Sequence, residues 1–330
     1  MPLACLFSFL GTPEGITFIC HVITILETPL HILATYCILA KTPEKMRNVK
    51  LSLLILHFFS MFIGFSMAFL LIPFTLFPIM SGWPIGVLTY LGVPPGFQLY
   101  HGVTSISLTG AAILAVFENR YYRLFMDFHW EKIRKYYLFG NWFLAVTFFY
   151  YQFLLVPEQD EAREVVLKKL PCTAHIPGMN PKELYVLNLV PISSIALISF
   201  MIVLMITQVF IFFIITTRKL IAKYRHLSVA TYQLQKKFLV AITVQFFVSV
   251  LLVGFPSTLI VYSVVMDSYN QARNNLCFII LSFYGLISTI VLIQFHQPYR
   301  EFVGSLFRRK KCSRAGGNGS RIQLPQGSDV

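Results

Sequence analysis

Long apolar runs, broken at intervals by short polar stretches, dominate the chain. A segment needs about 20 mostly apolar residues to cross the hydrocarbon of a bilayer. Seven segments qualify: 16–40, 51–78, 97–117, 136–156, 184–215, 238–266 and 276–295. Each is too long and too uniformly apolar for the strand of a membrane barrel, where about ten residues alternate in character. A lone strand would also leave its backbone unpaired in lipid, so the pattern predicts helices. The expected fold is an all-α membrane protein, a bundle of seven transmembrane helices. Pro73 is expected to bend the second span and Pro256 the sixth, since each lacks a backbone N–H. At Pro256 a hinge and a static kink are both open.

Polar residues then orient the bundle. Of 27 Lys and Arg, 22 fall in loops 41–50, 118–135 and 216–237 and in the tail after residue 295, and 5 fall in the alternate segments. The positive-inside rule puts the first group in the cytoplasm and the N-terminus outside. This accounts for the net charge of +13 without nucleic acid as a partner. The expected organisation is an extracellular N-terminus over 1–15, a transmembrane domain over 16–295, a membrane-surface helix over 296–312 and a flexible cytoplasmic tail over 313–330. In the third of these, Tyr299, Phe302, Val303, Leu306 and Phe307 recur on one helical face. Arg300 and the run from Arg308 to Lys311 flank that face, beside anionic headgroups. Cys312 then lies at the interface, as a palmitoylation site or as an unmodified thiol. The sequon at Asn318 falls in the expected cytoplasmic tail and is expected to carry no glycan.

The chemistry of enzymes is thin. Charged residues make up 12% of the chain, and Asp reaches a span only at its edge, at Asp267. No nucleophile and base cluster within the spans, and an enzyme is not expected. The six cysteines have no metal-ligand spacing, so neither a metal nor a cofactor is expected. Cys172 and Cys277 fall near outward ends; one disulfide or two free thiols are both open. Glu27 and His31 lie one turn apart within the first span, and His57 lies within the second. Such residues usually face the bundle interior. Loop 80–96 carries no charge and is rich in Gly and Pro, as an interfacial loop or as a lid over a ligand cavity. By depth alone, Gln98, Tyr100, His101, Tyr262 and Tyr284 are the candidates for a pocket opening outward among spans three, five, six and seven. A transporter or channel is the competing class. Against it, the spans lack matched Gly/Pro-broken helices and rings of charge.

Short patterns at the membrane edges narrow the reading. Phe117-Glu118-Asn119-Arg120-Tyr121 ends the third span, and His296-Gln297-Pro298-Tyr299-Arg300-Glu301-Phe302 follows the seventh. Lys41-Thr42-Pro43-Glu44-Lys45-Met46 forms the first inner loop, Lys169-Leu170-Pro171-Cys172 lies in the second outer loop, and Gln235-Lys236-Lys237-Phe238-Leu239 ends the third inner loop. In this order, from Thr12 to Phe307, they resemble the class H serpentine chemoreceptors of nematodes, which are G protein-coupled receptors. The resemblance implies a multi-pass receptor in the plasma membrane of sensory-neuron cilia. It would bind a small odorant or tastant and activate a heterotrimeric G protein. It also implies that Glu118, Asn119, Arg120, Pro298, Tyr299 and Arg300 belong to the coupling region. Glu118 and Arg120 are two residues apart and do not share a helix face, which argues against an intrahelical ion pair. The chain further departs from rhodopsin-like receptors in lacking an Asn-Pro motif in the seventh span and a cysteine at the outer end of the third.

Overall fold

A computed structural model describes residues 8–125, 128–170, 172–173, 176–222 and 228–315; at 45, 48, 230, 231, 234 and 307–315 it describes the backbone alone. Among the described residues, seven helical segments are long and apolar enough to cross a membrane: Pro13–Ala40, Val49–Leu71, Pro95–Phe125, Phe128–Leu155, Ile192–Ala222, Gln235–Val265 and Gln271–Phe295. They are built from α1 (Pro13–Ala40), α2 (Arg47–Phe65), α4 (Pro95–Phe125), α5 (Phe128–Thr147), α7 (Ile192–Ala222), α8 (Val229–Ser249), α9 (Phe255–Val265) and α10 (Gln271–Phe295). A four-residue helix, α3 (Val87–Tyr90), precedes α4. Large side chains such as Ile25, Phe139, Phe200 and Val203 point outward from these helices, as the lipid-facing side of a membrane bundle requires.

The spans pack around α10, whose buried face includes Cys277, Leu281, Tyr284, Gly285, Ser288 and Leu292. Gly285 lets α10 approach α2 closely. A Cβ built on Gly64 would lie 2.9 Å from the Gly285 Cα. Small residues at helix crossings serve this purpose in membranes, where no hydrophobic force drives helices together. The carboxylate of Glu27 fills the same notch, within 3.6 Å of His31 Nε2. His31 in turn hydrogen-bonds Thr289 (2.9 Å), and His57 reaches the His31 carbonyl and Thr35.

Two spans end sooner than their hydropathy predicts. The second widens into a π-helical stretch, Ser66–Leu71, and stops there. Pro73 cannot donate the next helical bond and disfavours helical geometry in the residue before it. Ile72 accordingly sits in the left-handed region (φ 41°), a strained position for a β-branched residue. Pro73 therefore opens a strand instead of bending a helix. The fifth span starts at Ile192, and the preceding apolar residues form another strand. Together β1 (Pro73–Thr75), β2 (Met80–Pro84) and β3 (Tyr185–Asn188) make an antiparallel sheet in the order β1-β2-β3. Thr75 stands opposite Gly82, and Gly82 opposite Tyr185. Gly82 is required at this crossing: its φ is 156°, and a Cβ there would come within 2.2 Å of the Phe74 carbonyl oxygen.

The sheet lies across one end of the bundle. Phe74 and Trp83 pack with tilted rings on one of its sides (ring centroids 4.7 Å) within a cluster that includes Ile16, Cys20 and Ile23 of α1. The charged segment before β3 forms α6 (Gln159–Lys169), which is fastened to the sheet. Gln159 exchanges two hydrogen bonds with the Val186 backbone, and Arg163 Nε donates to the Leu184 carbonyl (2.8 Å). At the opposite end, α11 (Gln297–Ala315) follows α10 after a break at His296. Tyr299 is fully buried there, and Phe302 packs on Tyr36. The apolar face expected for α11 thus begins against the bundle, while Leu306 is exposed. The side chains of Phe307 and Cys312, and residues 316–330 with Asn318, lie outside the described residues.

Candidate functional site

Beneath the sheet lies a cavity of about 260 Å³. Its walls come from α4 (Gln98 to Ile113), α7 (Ile195 to Val209), the sixth span (Phe246 to Val261) and α10 (Cys277, Phe278, Leu281, Tyr284). All three strands contribute to its cap, through Pro73 to Thr75, Met80 to Pro84, Tyr185 and Leu187. Apolar pockets of a few hundred Å³ with a small number of polar groups are the usual form of small-molecule sites. None of the described lining residues is Asp, Glu, Lys, Arg or His.

Most polar groups in the wall are already engaged. Gln98 Nε2 donates to the Val93 carbonyl (2.8 Å) and to Thr89 Oγ1 (3.2 Å). Ser107 and Thr109 donate to carbonyls one turn back in their own helix. Ser249 Oγ and the Tyr284 hydroxyl bond each other at 2.8 Å. The sixth span changes to a π-helical turn at Val250–Gly254, immediately before Pro256. The missing Pro256 N–H accounts for the disturbance. Ser257 and Thr258 hydroxyls cover the carbonyls of Val253 (2.7 Å) and Gly254 (2.9 Å). The segment is thus a local irregularity in the wall of the cavity itself.

Of the five depth-based pocket candidates, Gln98 and Tyr284 line this cavity. The other three lie elsewhere. Tyr100 donates to the Val146 carbonyl (2.6 Å), joining α4 to α5. His101 pairs with Ser66 (2.9 Å), and Tyr262 is half-exposed beneath the Arg273 guanidinium. The Cys172–Cys277 pairing is corrected: Cys277 is a free, buried thiol in the cavity wall. Cys172 is disulfide-bonded, with a partner outside the described residues. Strands β1 and β3 lie within runs apolar enough to extend the adjoining helices, and β2 falls in the Gly- and Pro-rich segment 80–96, which carries no strand periodicity.

At the other end of the bundle, charge replaces apolar surface. Glu118 is fully buried and receives three hydrogen bonds: from Trp130 Nε1 (2.7 Å), Arg134 Nε (2.9 Å) and Arg134 Nη2 (2.8 Å). The bidentate geometry is the strong form of a guanidinium–carboxylate contact. It ties α4 to the start of α5. Arg120, two residues on, points elsewhere. Its Nη2 donates to both the backbone carbonyl (3.1 Å) and the side-chain oxygen of Gln235 on α8. The guanidinium also covers the Phe238 ring at 4.7 Å. Among the described residues its Nε is buried without a hydrogen-bond partner. Asn119 Nδ2 donates to Ser52 of α2 (2.7 Å). The three consecutive residues Glu118, Asn119 and Arg120 thus connect α4 to three different helices.

The motif after α10 joins this region. Pro298 lies in the first turn of α11, and Arg300 donates to the Gln294 carbonyl (3.2 Å). The Tyr299 hydroxyl pairs with Thr42 (2.7 Å), and its ring stacks on His296. Burial pushes the Tyr299 phenol up and the His296 imidazole down from their ordinary values. His296 donates from Nδ1 to the Leu292 carbonyl (2.9 Å). Its ring also meets Phe238, which carries the packing on to the Arg120 contact.

Comparisons with known proteins agree with this architecture. The family described as serpentine type seven-transmembrane GPCR chemoreceptor Srh matches residues 11–309. A curated relative, serpentine receptor class H-72 of Caenorhabditis elegans, is 25% identical over 314 residues, covering 92% of this chain and 89% of its own. With a seven-span bundle, a capped cavity at one end and a charged junction at the other, the chain belongs to the Srh family of serpentine chemoreceptors.

Proposed function

We propose that the protein is a plasma-membrane receptor of sensory cilia that binds a small molecule in the cavity and activates a heterotrimeric G protein at the opposite end. The sheet and the N-terminus face outward, and the basic loops and tail face the cytoplasm, in keeping with their 22 Lys and Arg. One observation supports the coupling above all. Span three and span six both line the cavity, and the same two spans are joined at the far end by Arg120 and Gln235.

Ligand binding biases two arrangements of the bundle. The sixth span pivots at its π-helical turn and Pro256, so that Gln235 and Phe238 leave Arg120. The freed guanidinium meets the G protein, beside Tyr299 and Arg300. Glu118 remains clamped by Arg134 and Trp130 and holds the second inner loop in register. Arg120→Ala abolishes ligand-stimulated nucleotide exchange on the G protein without loss of surface expression. Retained stimulation in that variant removes Arg120 from the mechanism.

A further inference from the structure

The sequence holds six cysteines, at 5, 20, 37, 172, 277 and 312. Cys20, Cys37 and Cys277 are free, buried thiols, and Cys172 is disulfide-bonded. The structure is of one chain, so the partner of Cys172 is Cys5 or Cys312.

Position separates the two. Leu170 and Ile176, on either side of Cys172, pack in one cluster with Phe74 and Trp83 of the sheet, Ile16 and Cys20 of α1, and Ile279 of α10. Cys172 therefore belongs to the sheet end of the bundle. Cys312 lies on α11, which follows the far end of α10. The 25 residues of α10 make a rod of about 37 Å. A disulfide needs Cα atoms within about 7 Å of each other, so Cys312 is out of reach. The chain before α1 is not. The Leu10 carbonyl accepts a hydrogen bond from Asn275 Nδ2, near the start of α10 (2.8 Å). Leu10 is thus held at the sheet end, and the step back to Cys5 spans up to about 17 Å.

We infer that Cys5 and Cys172 form a disulfide, which ties the N-terminal segment to the segment between α6 and β3. Each thiol loses its hydrogen as the S–S bond forms. The two electrons and two protons pass to a disulfide oxidant of the secretory pathway, which becomes a dithiol. Such bonds persist on the outer face of a cell and are reduced in the cytosol, in keeping with an outward-facing sheet. The segment it anchors is already fastened on two sides. Gln159 and Arg163 hold α6 to β3, and Lys169 pairs with Asp267 at the end of the sixth span (2.8 Å). The disulfide adds the N-terminus to these ties and holds the cover of the sheet against α1.

The test begins with full-length receptor from insect cells, purified without reductant and with free thiols alkylated. The monomer band of a non-reducing gel is cut with glutamyl endopeptidase. Cleavage after Glu14, Glu164 and Glu183 leaves Cys5 and Cys172 on separate fragments that hold no other cysteine. Mass spectrometry finds these two fragments joined, at the sum of their masses less two hydrogens, and separate after dithiothreitol. Cys172 recovered as an alkylated thiol, or linked to any other cysteine, overturns the inference. In nanodiscs, Cys5→Ser, Cys172→Ser and the double variant each lower the melting temperature by the same amount, about 5 °C. Dithiothreitol brings the parent to that value. Single-variant shifts that add in the double variant mean that the two thiols act separately, which also overturns it. Neither readout needs a ligand or a G protein, so the outcome is independent of the signalling reading.

Discussion

The two ends of the bundle solve opposite problems. Under the sheet, a wall of apolar residues and mutually satisfied hydroxyls leaves room for a guest and offers it no charge. At the other end, Glu118 and Arg120 are buried and held by charged and polar contacts set among packed aromatic rings. The difference matters energetically. Apolar lining tolerates change in small increments, since each lost methylene costs about 1 kcal/mol. A buried charge tolerates removal of its partner badly, because the remaining group is left unpaired. The sheet end is thus suited to graded selection among ligands. The charged end is suited to an all-or-none rearrangement, in which a guanidinium has one partner or another.

Substitutions that break this contrast should rank accordingly. The largest loss of stability is expected for Glu118→Ala, which strands Arg134 and the Trp130 N–H. A cost of about 3 kcal/mol follows, seen as a lower melting temperature of the purified protein; an unchanged value would mean that the ion pair does not hold the loop. Next, Gly82→Ala forces a Cβ against the Phe74 carbonyl at a positive φ. It should cost about 1–3 kcal/mol and weaken ligand binding, leaving basal nucleotide exchange in place. Gly110→Leu fills the cavity beside Met205, where a Cβ would find ordinary contact at 3.5 Å. Its melting temperature should stay near that of the parent, since glycine is a poor helix former, while binding of a ligand that occupies the cavity disappears.

The smallest effect belongs to Glu158, the exposed N-cap of α6. Its carboxylate accepts the Glu161 N–H (2.9 Å), and backbone hydrogen bonds hold its carboxyl below the ordinary value of 4.5. Such a group contributes stability above its unfolded-state value, and that contribution is lost as pH falls through the folded one. Glu158→Ala should therefore lower the melting temperature slightly at neutral pH and by less at acidic pH, below 4.5. An equal effect at both pH values would assign the loss to something other than the charge.

The sequence made the spans legible and the sheet illegible, for one physical reason. Hydropathy sums transfer energies and carries no information on chain direction. Leu51 to Pro78, read as one helix, would run about 42 Å, and Leu184 to Ile215 about 48 Å. Both exceed the hydrocarbon thickness of about 30 Å. That excess, with Pro73, Pro78 and Pro84 in the first case and the Tyr185-Val186-Leu187 run in the second, was the available signal for strands. The charged junction was partly legible. The two-residue spacing of Glu118 and Arg120 argued against an internal pair, and the structure gives them separate partners on α5 and α8. Which partners they take depends on how helices far apart in sequence pack, which no local pattern encodes. Of the five side chains picked by depth, Gln98 and Tyr284 line the cavity. Depth in the membrane is readable from sequence, but the rotation of each helix is set by its neighbours.

The most direct test of the account joins the two ends in one assay. Ligand-stimulated nucleotide exchange on a heterotrimeric G protein is measured, with an agonist of the parent found by screening small odorants, for the parent, Gly110→Leu and Gln235→Ala receptors in nanodiscs. The account predicts stimulation in the parent, none in Gly110→Leu, and raised exchange without ligand in Gln235→Ala, where Arg120 is no longer held. Undiminished stimulation in Gly110→Leu, or basal exchange in Gln235→Ala equal to that of the parent, would contradict it.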